Sequence, residues 1–131
     1  MAQVPSNLYY SASHQWLAIH TDGSGSVGIT DFAQQALGDV VFVEFPSLGG
    51  SVAKDDACAV VESVKSASDV FSPVAGTIIE INSELESAPE KINQSPYVAW
   101  LLKLRVSDDN EVKALLNANA YVNITKQHSA D

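Results

Sequence analysis

A single lysine, Lys65, lies between two stretches of high β-propensity, and its position suggests chemistry more than that of any other residue in the sequence. Strands are predicted over 57–64 and 69–71, so the connection between them is short and Lys65 is expected at the exposed tip of a hairpin. Carboxylates flank this lysine at Glu62 and Asp69. The ordinary interpretation is a solvated lysine in a turn. The alternative is that a modifying enzyme acts on the ε-amine of Lys65. The lysine would then carry a long prosthetic arm such as lipoamide or biotin.

Other patterns that could carry chemistry have plainer interpretations. Residues 23–28 read G-S-G-S-V-G, but a dinucleotide site needs a helix that starts there and βαβ repeats, so we predict a glycine-rich hairpin. The histidines His14, His20 and His128 lack the spacing of metal ligands. Cys58 occupies a strand position typical of a small apolar residue, and no serine has the G-x-S-x-G context of a nucleophile elbow. We therefore predict no catalytic residue and no metal site.

The composition is that of one acidic, globular domain. The chain has 131 residues, 46% of them hydrophobic and 18% charged, with a formal net charge of -9. Nucleic acids and anionic membranes both favour clustered basic residues, so neither is an expected partner. There is no apolar stretch of about 18 residues, and we recognise no leader in residues 1–13. We expect a cytoplasmic protein that is monomeric alone, or a protein of the mitochondrial matrix if the chain is a mature eukaryotic form.

The elements that must position Lys65 are predicted to be mainly strands. Alternating and β-branched runs predict them at 16–20, 27–29, 40–45, 57–64, 69–71, 77–81 and 100–106. One short helix is expected before the third run, with Thr30 or Asp31 as its N-cap and Gly38 just after its end. The result is a mainly β domain with few helices.

The regions outside these strands are predicted from weaker signals. Residues 83–96 are polar and contain two prolines, so a long surface loop is expected. A helix is expected to open at Ser107, with a second short helix over 119–124 and a loose tail from Lys126. The pattern Pro-x-x-Gly occurs twice, at 46–49 and at 73–76, and both glycines are expected to take a positive φ in similar turns.

Taken together, these residues resemble the H-protein family of the glycine cleavage system. The matching segments extend from about residue 5 to about residue 125. They read H-Q-W at 14–16, V-G-I-T-D-F-A-Q at 27–34, L-G-D-V-V-F-V at 37–43, E-S-V-K at 62–65 and S-P-V-A-G at 72–76, with Pro89, Glu90, Asn93, Pro96, Tyr97 and Trp100 beyond them. The E-S-V-K and S-P-x-x-G pair at this spacing is highly specific, and it favours the prosthetic-arm interpretation of Lys65.

The resemblance implies a lipoyl-domain fold, mainly β with short helices. Such a fold is a flattened barrel or sandwich of two small antiparallel sheets, with the lysine on a hairpin tip and helices at the C-terminus. It would occupy 1–131 as a single domain, with a core at about 16–106 and a helical extension at about 107–125. Lipoic acid would be amide-linked to Lys65. The residues expected to support recognition or to line a cleft are Glu62, Ser63, Val64, Asp69, Gly76, His14 and Gln15.

The resemblance also implies a carrier rather than an enzyme. The arm would take an aminomethyl group of glycine from the pyridoxal-phosphate-dependent glycine decarboxylase. It would deliver this group to the tetrahydrofolate-dependent aminomethyltransferase. Dihydrolipoamide dehydrogenase, which uses FAD and NAD, would then reoxidise the arm. A lipoate-attaching enzyme is the fourth implied partner.

Other carrier families fit these residues less well. Biotin carriers set their lysine between methionines, whereas Val64 and Ser66 flank Lys65 here. In the lipoyl domains of 2-oxoacid dehydrogenases the lysine usually follows Asp, in the motif D-K-A, whereas Val64 precedes Lys65 here. A domain that kept the fold without being acylated would not need Glu62, Lys65 and Gly76, which are all present.

The sequence departs from the family pattern in two places. Gln15 stands where the family commonly has Glu, and the segment from Tyr97 to Trp100 is one residue shorter than usual. If the loaded arm carries a cation into a cleft beside position 15, a neutral amide should hold it less tightly than a carboxylate, unless another acid substitutes. We therefore expect Gln15→Glu to slow the spontaneous loss of that group.

Overall fold

A computed structural model describes residues 3–128, which form nine strands and five helices. The strands are β1 Tyr9–Tyr10, β2 Gln15–Ile19, β3 Ser24–Ile29, β4 Val40–Glu44, β5 Ser51–Val52, β6 Ala57–Ser63, β7 Ala67–Phe71, β8 Gly76–Ile81 and β9 Leu102–Val106. The helices are α1 Asp31–Leu37, α2 Glu84–Ser87, α3 Lys91–Gln94, α4 Asp109–Lys113 and α5 Ala118–His128.

The strands form two antiparallel sheets that share one core and do not close into a barrel. The larger sheet has the order β1-β2-β3-β9-β8-β5, and the smaller has the order β4-β6-β7. Apolar side chains from both sheets meet between them, including Val61 and Val70 of the smaller sheet and Val27 and Leu104 of the larger. The expected architecture of two small antiparallel sheets with short helices is therefore confirmed.

A second cluster of buried aromatic residues attaches the C-terminal helix to the larger sheet. Tyr10 of β1, Trp16 of β2 and Tyr121 of α5 form its centre. The rings of Tyr10 and Tyr121 are stacked, with their centroids 4.8 Å apart. The C-terminal helices are thus part of the folded body, and the buried side chain of Val112 in α4 belongs to the main core.

The predicted helix before β4 forms as its capping residues indicate. The hydroxyl of Thr30 accepts a hydrogen bond from the amide of Ala33, which satisfies one of the unpaired donors at the N-terminus of α1. Gly38 follows the helix with a φ of 82°, a conformation that side chains with a Cβ rarely adopt.

The glycine-rich segment is a hairpin, although its turn is shorter than predicted. The amide of Gly23 donates to the carbonyl of His20 at 3.0 Å, and β3 begins at Ser24 rather than at residue 27. Gly28 lies within β3 against the ring of Trp16, and a Cβ there would be 2.5 Å from that ring. The glycines therefore serve the turn and the close packing of two strands.

Two predictions outside the strands are wrong. The segment 83–96 is not a long loop, because it contains the one-turn helices α2 and α3, whose residues Leu85 and Ile92 are buried in the main core. The tail does not loosen at Lys126, because α5 continues to His128, and residues 129–131 lie outside the described part. Within residues 3–128, no helix is long and apolar enough to cross a membrane.

The two Pro-x-x-Gly segments do not form the same turn. Gly49 has the expected positive φ, at 82°, but Gly76 does not. Gly76 lies in β8, where a Cβ would be 2.5 Å from the carbonyl oxygen of Arg105 on β9. Glycine is needed at this position because two strands approach closely, not because the chain turns.

Candidate functional site

The hairpin between β6 and β7 presents Lys65 at its tip, as predicted. The strands pair up to Glu62 opposite Ala67, and the amide of Ser63 donates to the carbonyl of Ser66 at 2.8 Å. The hydroxyl of Ser63 also accepts hydrogen bonds from the amides of Lys65 and Ser66, at 3.1 and 3.2 Å. These bonds fix the backbone of the tip, while the Lys65 side chain remains exposed.

The Lys65 side chain extends to the C-terminal end of α1. Its Nζ donates to the carbonyl oxygen of Ala36 at 3.0 Å, one of the last carbonyls of a helix, which lack intrahelical partners and favour a nearby cation. A Cβ on Gly38 would be 3.2 Å from Cε of Lys65. The glycine that ends the helix therefore also leaves room for the lysine stem.

A cleft of about 200 Å³ opens beside this contact, between α1 and the strands β6 and β7. Its apolar lining comes from Ile29, Ala33, Ala36, Leu37, Val61 and Val70. Its polar lining comes from Ser13, His14, Gln15, Ser68 and Asp69. Because Ala36 both lines the cleft and accepts from Lys65, the amine of Lys65 lies beside the cleft. Asp69 is the one carboxylate among the described residues that line it.

His14 is held at the cleft by contacts with distant parts of the chain. Its backbone has a φ of 76°, which is uncommon for a residue other than glycine, and its Nδ1 lies 2.7 Å from the hydroxyl of Tyr121. The same hydroxyl is 2.7 Å from Oγ1 of Thr30, the N-cap of α1. Burial raises the pKa of Tyr121, so its phenol stays protonated and able to donate. The C-terminal helix thus braces this wall of the cleft.

Gln15 lies at the cleft with its amide group already satisfied by its neighbours. The side chain is only 3% exposed, and its Oε1 accepts from the hydroxyls of Ser11, at 2.6 Å, and of Ser13. Its Nε2 donates to the carbonyl of Ser13 at 3.1 Å. Both lone pairs of the amide oxygen are therefore in use, and a cation in the cleft would have to compete with two serine hydroxyls for it.

The candidate residues divide into three places in the structure. Asp69, His14 and Gln15 line one cleft, Lys65 bonds to Ala36 of its lining, and Ser63 shapes the hairpin tip. Glu62 and Val64 flank the tip without lining the cleft, and Glu62 lies opposite Phe42 in the smaller sheet. Gly76 does not line the cleft either; it lies in the larger sheet, beside Val106 and Val52.

The sequence analysis named Asn93 only as part of the family pattern, and it did not predict that this residue joins three elements. Its Oδ1 accepts from the amide of Val40 at 2.8 Å, and its Nδ2 donates to Oε1 of Gln34 and to the carbonyl of Gly38, both at 2.9 Å. These bonds connect α3 to the end of α1 and to the start of β4. The residue belongs to the family pattern, but its local surroundings are those of an ordinary polar segment.

Cys58 is the small buried residue that its strand position predicts. Its Sγ donates to the carbonyl of Val70 at 3.3 Å, and burial raises the pKa of the thiol to about 12. A thiol in this state has almost no thiolate at neutral pH and is a poor nucleophile.

Two antiparallel sheets around one core, with an exposed lysine on a hairpin tip, define the lipoyl-domain class of carrier proteins. The profile of the family described as "Glycine cleavage H-protein" matches residues 8–128. This chain belongs to that family, and membership makes it a non-catalytic lipoyl carrier of the glycine cleavage system rather than an enzyme.

Individual relatives are similar to this chain over nearly its whole length. The glycine cleavage system H protein of Nitrosomonas eutropha is 52% identical over 118 residues, which cover 90% of this chain and 92% of that protein. That of Escherichia coli O7:K1 is 48% identical over 122 residues, covering 92% and 95%. The crystal structure of a glycine cleavage system H protein from Mycobacterium marinum aligns with a TM-score of 0.85 at 37% identity, covering 93% of this chain and 98% of that one.

Proposed function

We propose that Lys65 carries lipoate in amide linkage and that the resulting arm serves the three enzymes of glycine cleavage. These are a pyridoxal-phosphate-dependent glycine decarboxylase, a tetrahydrofolate-dependent aminomethyltransferase and the FAD- and NAD-dependent dihydrolipoamide dehydrogenase. The observation that carries the proposal is the position of Lys65 on a hydrogen-bonded hairpin tip, with its Nζ bonded to Ala36, which lines a cleft. The named relatives are bacterial, which favours the cytoplasm as the place of action.

The residues around Lys65 fit such an arm. When bound, lipoate would supply a reducible disulfide that accepts the aminomethyl group of glycine and is later reoxidised. For attachment, the Nζ of Lys65 loses a proton and attacks the activated carboxyl carbon, so that an amide bond replaces the bond to the leaving group. The positive charge that favours the C-terminal end of α1 is lost with that proton. Modification therefore weakens the contact with Ala36 and frees the side chain to move.

We assign the recognition of a cation in the cleft to Asp69. Its carboxylate is the negative group among the described lining residues, whereas Gln15 is neutral and already accepts from two serine hydroxyls. A charge-assisted hydrogen bond is roughly twice as strong as a neutral one. His14 and Gln15 then form the polar side of the cleft, and Asp69 supplies the charge that the family's Glu would otherwise add.

The remaining site residues act at the hairpin itself. Ser63 holds the amide of Lys65, so the lysine leaves the tip in a defined direction. Glu62 and Val64 flank the lysine and are the first side chains that a lipoate-attaching enzyme would meet. Gly76 is the exception, because it lies in the larger sheet, where it allows β8 to pack closely against β9.

A reconstituted assay tests this function. With the three partner enzymes, glycine and tetrahydrofolate, we expect the lipoylated wild type to support CO₂ release. Lys65→Arg keeps the charge and the fold but cannot form the same amide, so its activity should fall to background. Lys54→Arg is the matched control, because Lys54 is an exposed lysine in another connection and should stay fully active. Wild-type rates with Lys65→Arg would disprove the assignment.

A further inference from the structure

The edge strand of the smaller sheet exposes two consecutive apolar side chains. Val41 is 53% exposed and Phe42 is 48% exposed, on the strand β4, which pairs only with β6. The register shifts between Val40 and Phe42, so Val41 is an additional residue in the ladder. Such bulges are over-represented at sheet edges and next to functional sites, where they redirect side chains.

These side chains lie next to the modified hairpin. Phe42 is the register partner of Glu62, which is three residues before Lys65 in the chain. The amide of Val64 donates to the carbonyl of Asp39 at 3.0 Å, which ties the hairpin tip to the start of β4. Val64 itself is 67% exposed. We refer to Val41, Phe42 and Val64 as the β4 patch.

Carboxylates lie close to the β4 patch. Glu62 is the register partner of Phe42, the backbone carbonyl of Asp39 accepts from Val64, and Glu44 ends the same strand. Lys65 is the one basic residue in the segments 39–44 and 57–71, which contain the three strands of the smaller sheet. The ion pairs of Lys91 with Glu84 and of Lys103 with Glu80 lie in other segments. An apolar surface with an acidic margin is complementary to an apolar pocket with basic residues at its rim.

We propose that the β4 patch is the surface on which the lipoate-attaching enzyme docks, an inference that rests on the proposed function. An extended lysine side chain reaches only about 6 Å from its Cα, since it has five bonds of about 1.5 Å in a staggered chain. The attaching enzyme must therefore bring its reaction centre close to the backbone of the tip and contact the neighbouring side chains. The glycine cleavage enzymes meet a much longer arm and can approach from farther away.

The test measures the rate of lipoate attachment to the full chain. Unmodified wild type, Val41→Ser and Phe42→Ser are incubated with a purified bacterial lipoate–protein ligase, lipoate and ATP, and intact mass is followed with time. Ile79→Ser is the matched control, because Ile79 is 39% exposed and also sits at a register shift, but in the larger sheet. Melting temperatures confirm that each variant is folded.

We expect KM for the protein to rise about tenfold or more in Phe42→Ser, with kcat little changed, as for the loss of a central interface side chain. Ile79→Ser should match the wild type.

Wild-type attachment by both patch variants would overturn the docking inference alone, whereas an unmodified wild type would reject the proposed function. Slowed glycine cleavage by pre-lipoylated Phe42→Ser with normal attachment would assign the patch to the cleavage enzymes instead. A wild-type dimer that Phe42→Ser dissociates would assign it to a second copy of the chain; either result contradicts the inference.

Discussion

Asp69 and Gln15 share the polar side of one cleft, but they differ in what they can offer a cation. Gln15 is nearly fully buried, and its oxygen accepts from Ser11 and Ser13, whereas Asp69 is exposed at the cleft with a full negative charge. In the proposed function, Asp69 on β7 of the smaller sheet supplies the negative charge that the neutral Gln15 on β2 of the larger sheet lacks. This difference in charge predicts that Asp69→Asn and Gln15→Glu, which are nearly isosteric, have opposite effects on the retention of a bound cation.

Asp69→Asn should speed the spontaneous loss of the aminomethyl group from the isolated loaded protein, and Gln15→Glu should slow it. We expect about a fivefold change for Asp69→Asn, because a charge-assisted hydrogen bond exceeds a neutral one by about 1 kcal/mol. The measurement is the rate at which ammonia or formaldehyde appears after removal of the partner enzymes. Glu86→Gln, an exposed change in α2, is the control. If all the proteins lose the group at one rate, neither position contacts the cation.

At the scale of elements, one polar side chain joins two helices and a strand near Lys65. Asn93 in α3 makes three hydrogen bonds, which reach Val40 at the start of β4, Gln34 within α1 and Gly38 just after the end of α1. Gly38 also lies against the side chain of Lys65, so the bonds of Asn93 fix the end of α1 to which Lys65 donates.

Asn93→Ala should lower the free energy of unfolding by about 2 kcal/mol, since it leaves partly buried donors and acceptors without partners. Urea unfolding measures this change. Gln94→Ala, at the exposed neighbouring position, is the matched control and should stay within about 0.5 kcal/mol of the wild type. Equal stability of the two variants would mean that the bonds of Asn93 carry little of the packing between α3 and α1.

Elements with strong local signals could be predicted from the sequence, and those held by distant contacts could not. The helix α1 has a cap and a terminal glycine within its own segment, and the β-branched runs identify the central strands. The helices α2 and α3 are one turn each and have one buried apolar residue apiece, Leu85 and Ile92, so no periodicity reveals them. The bond between Tyr121 and His14 joins residues 107 positions apart, and no local pattern records it.

The whole molecule combines an acidic surface with buried groups that stay neutral. Burial raises the pKa of Cys58 from 9.0 to about 12, and it also raises the pKa of Tyr10, Tyr97 and Tyr121 above 10.0. These groups ionise more readily in the unfolded chain than in the folded protein. Above about pH 9 the unfolded state therefore binds fewer protons, and the stability that depends on these neutral groups is lost as pH rises.

The free energy of unfolding should accordingly fall between about pH 9 and pH 11, with a limiting slope of about 1.4 kcal/mol per pH unit for each group that ionises only on unfolding. Urea titrations at several pH values measure the slope. Cys58→Ala removes the group with the lowest unfolded pKa, so its decline should begin nearer pH 10. Stability that is constant or rising from pH 9 to pH 11 would contradict the assignment of neutral buried groups.

The central claim is that one lysine of this acidic carrier, Lys65, bears the arm. The most direct test is peptide mapping by tandem mass spectrometry of the protein isolated from cells supplied with lipoate. We predict a lipoyl group on the peptide that contains Lys65 and on no other peptide. A lipoyl group on another lysine, or an unmodified Lys65 in cells whose other lipoyl proteins are modified, would contradict the account.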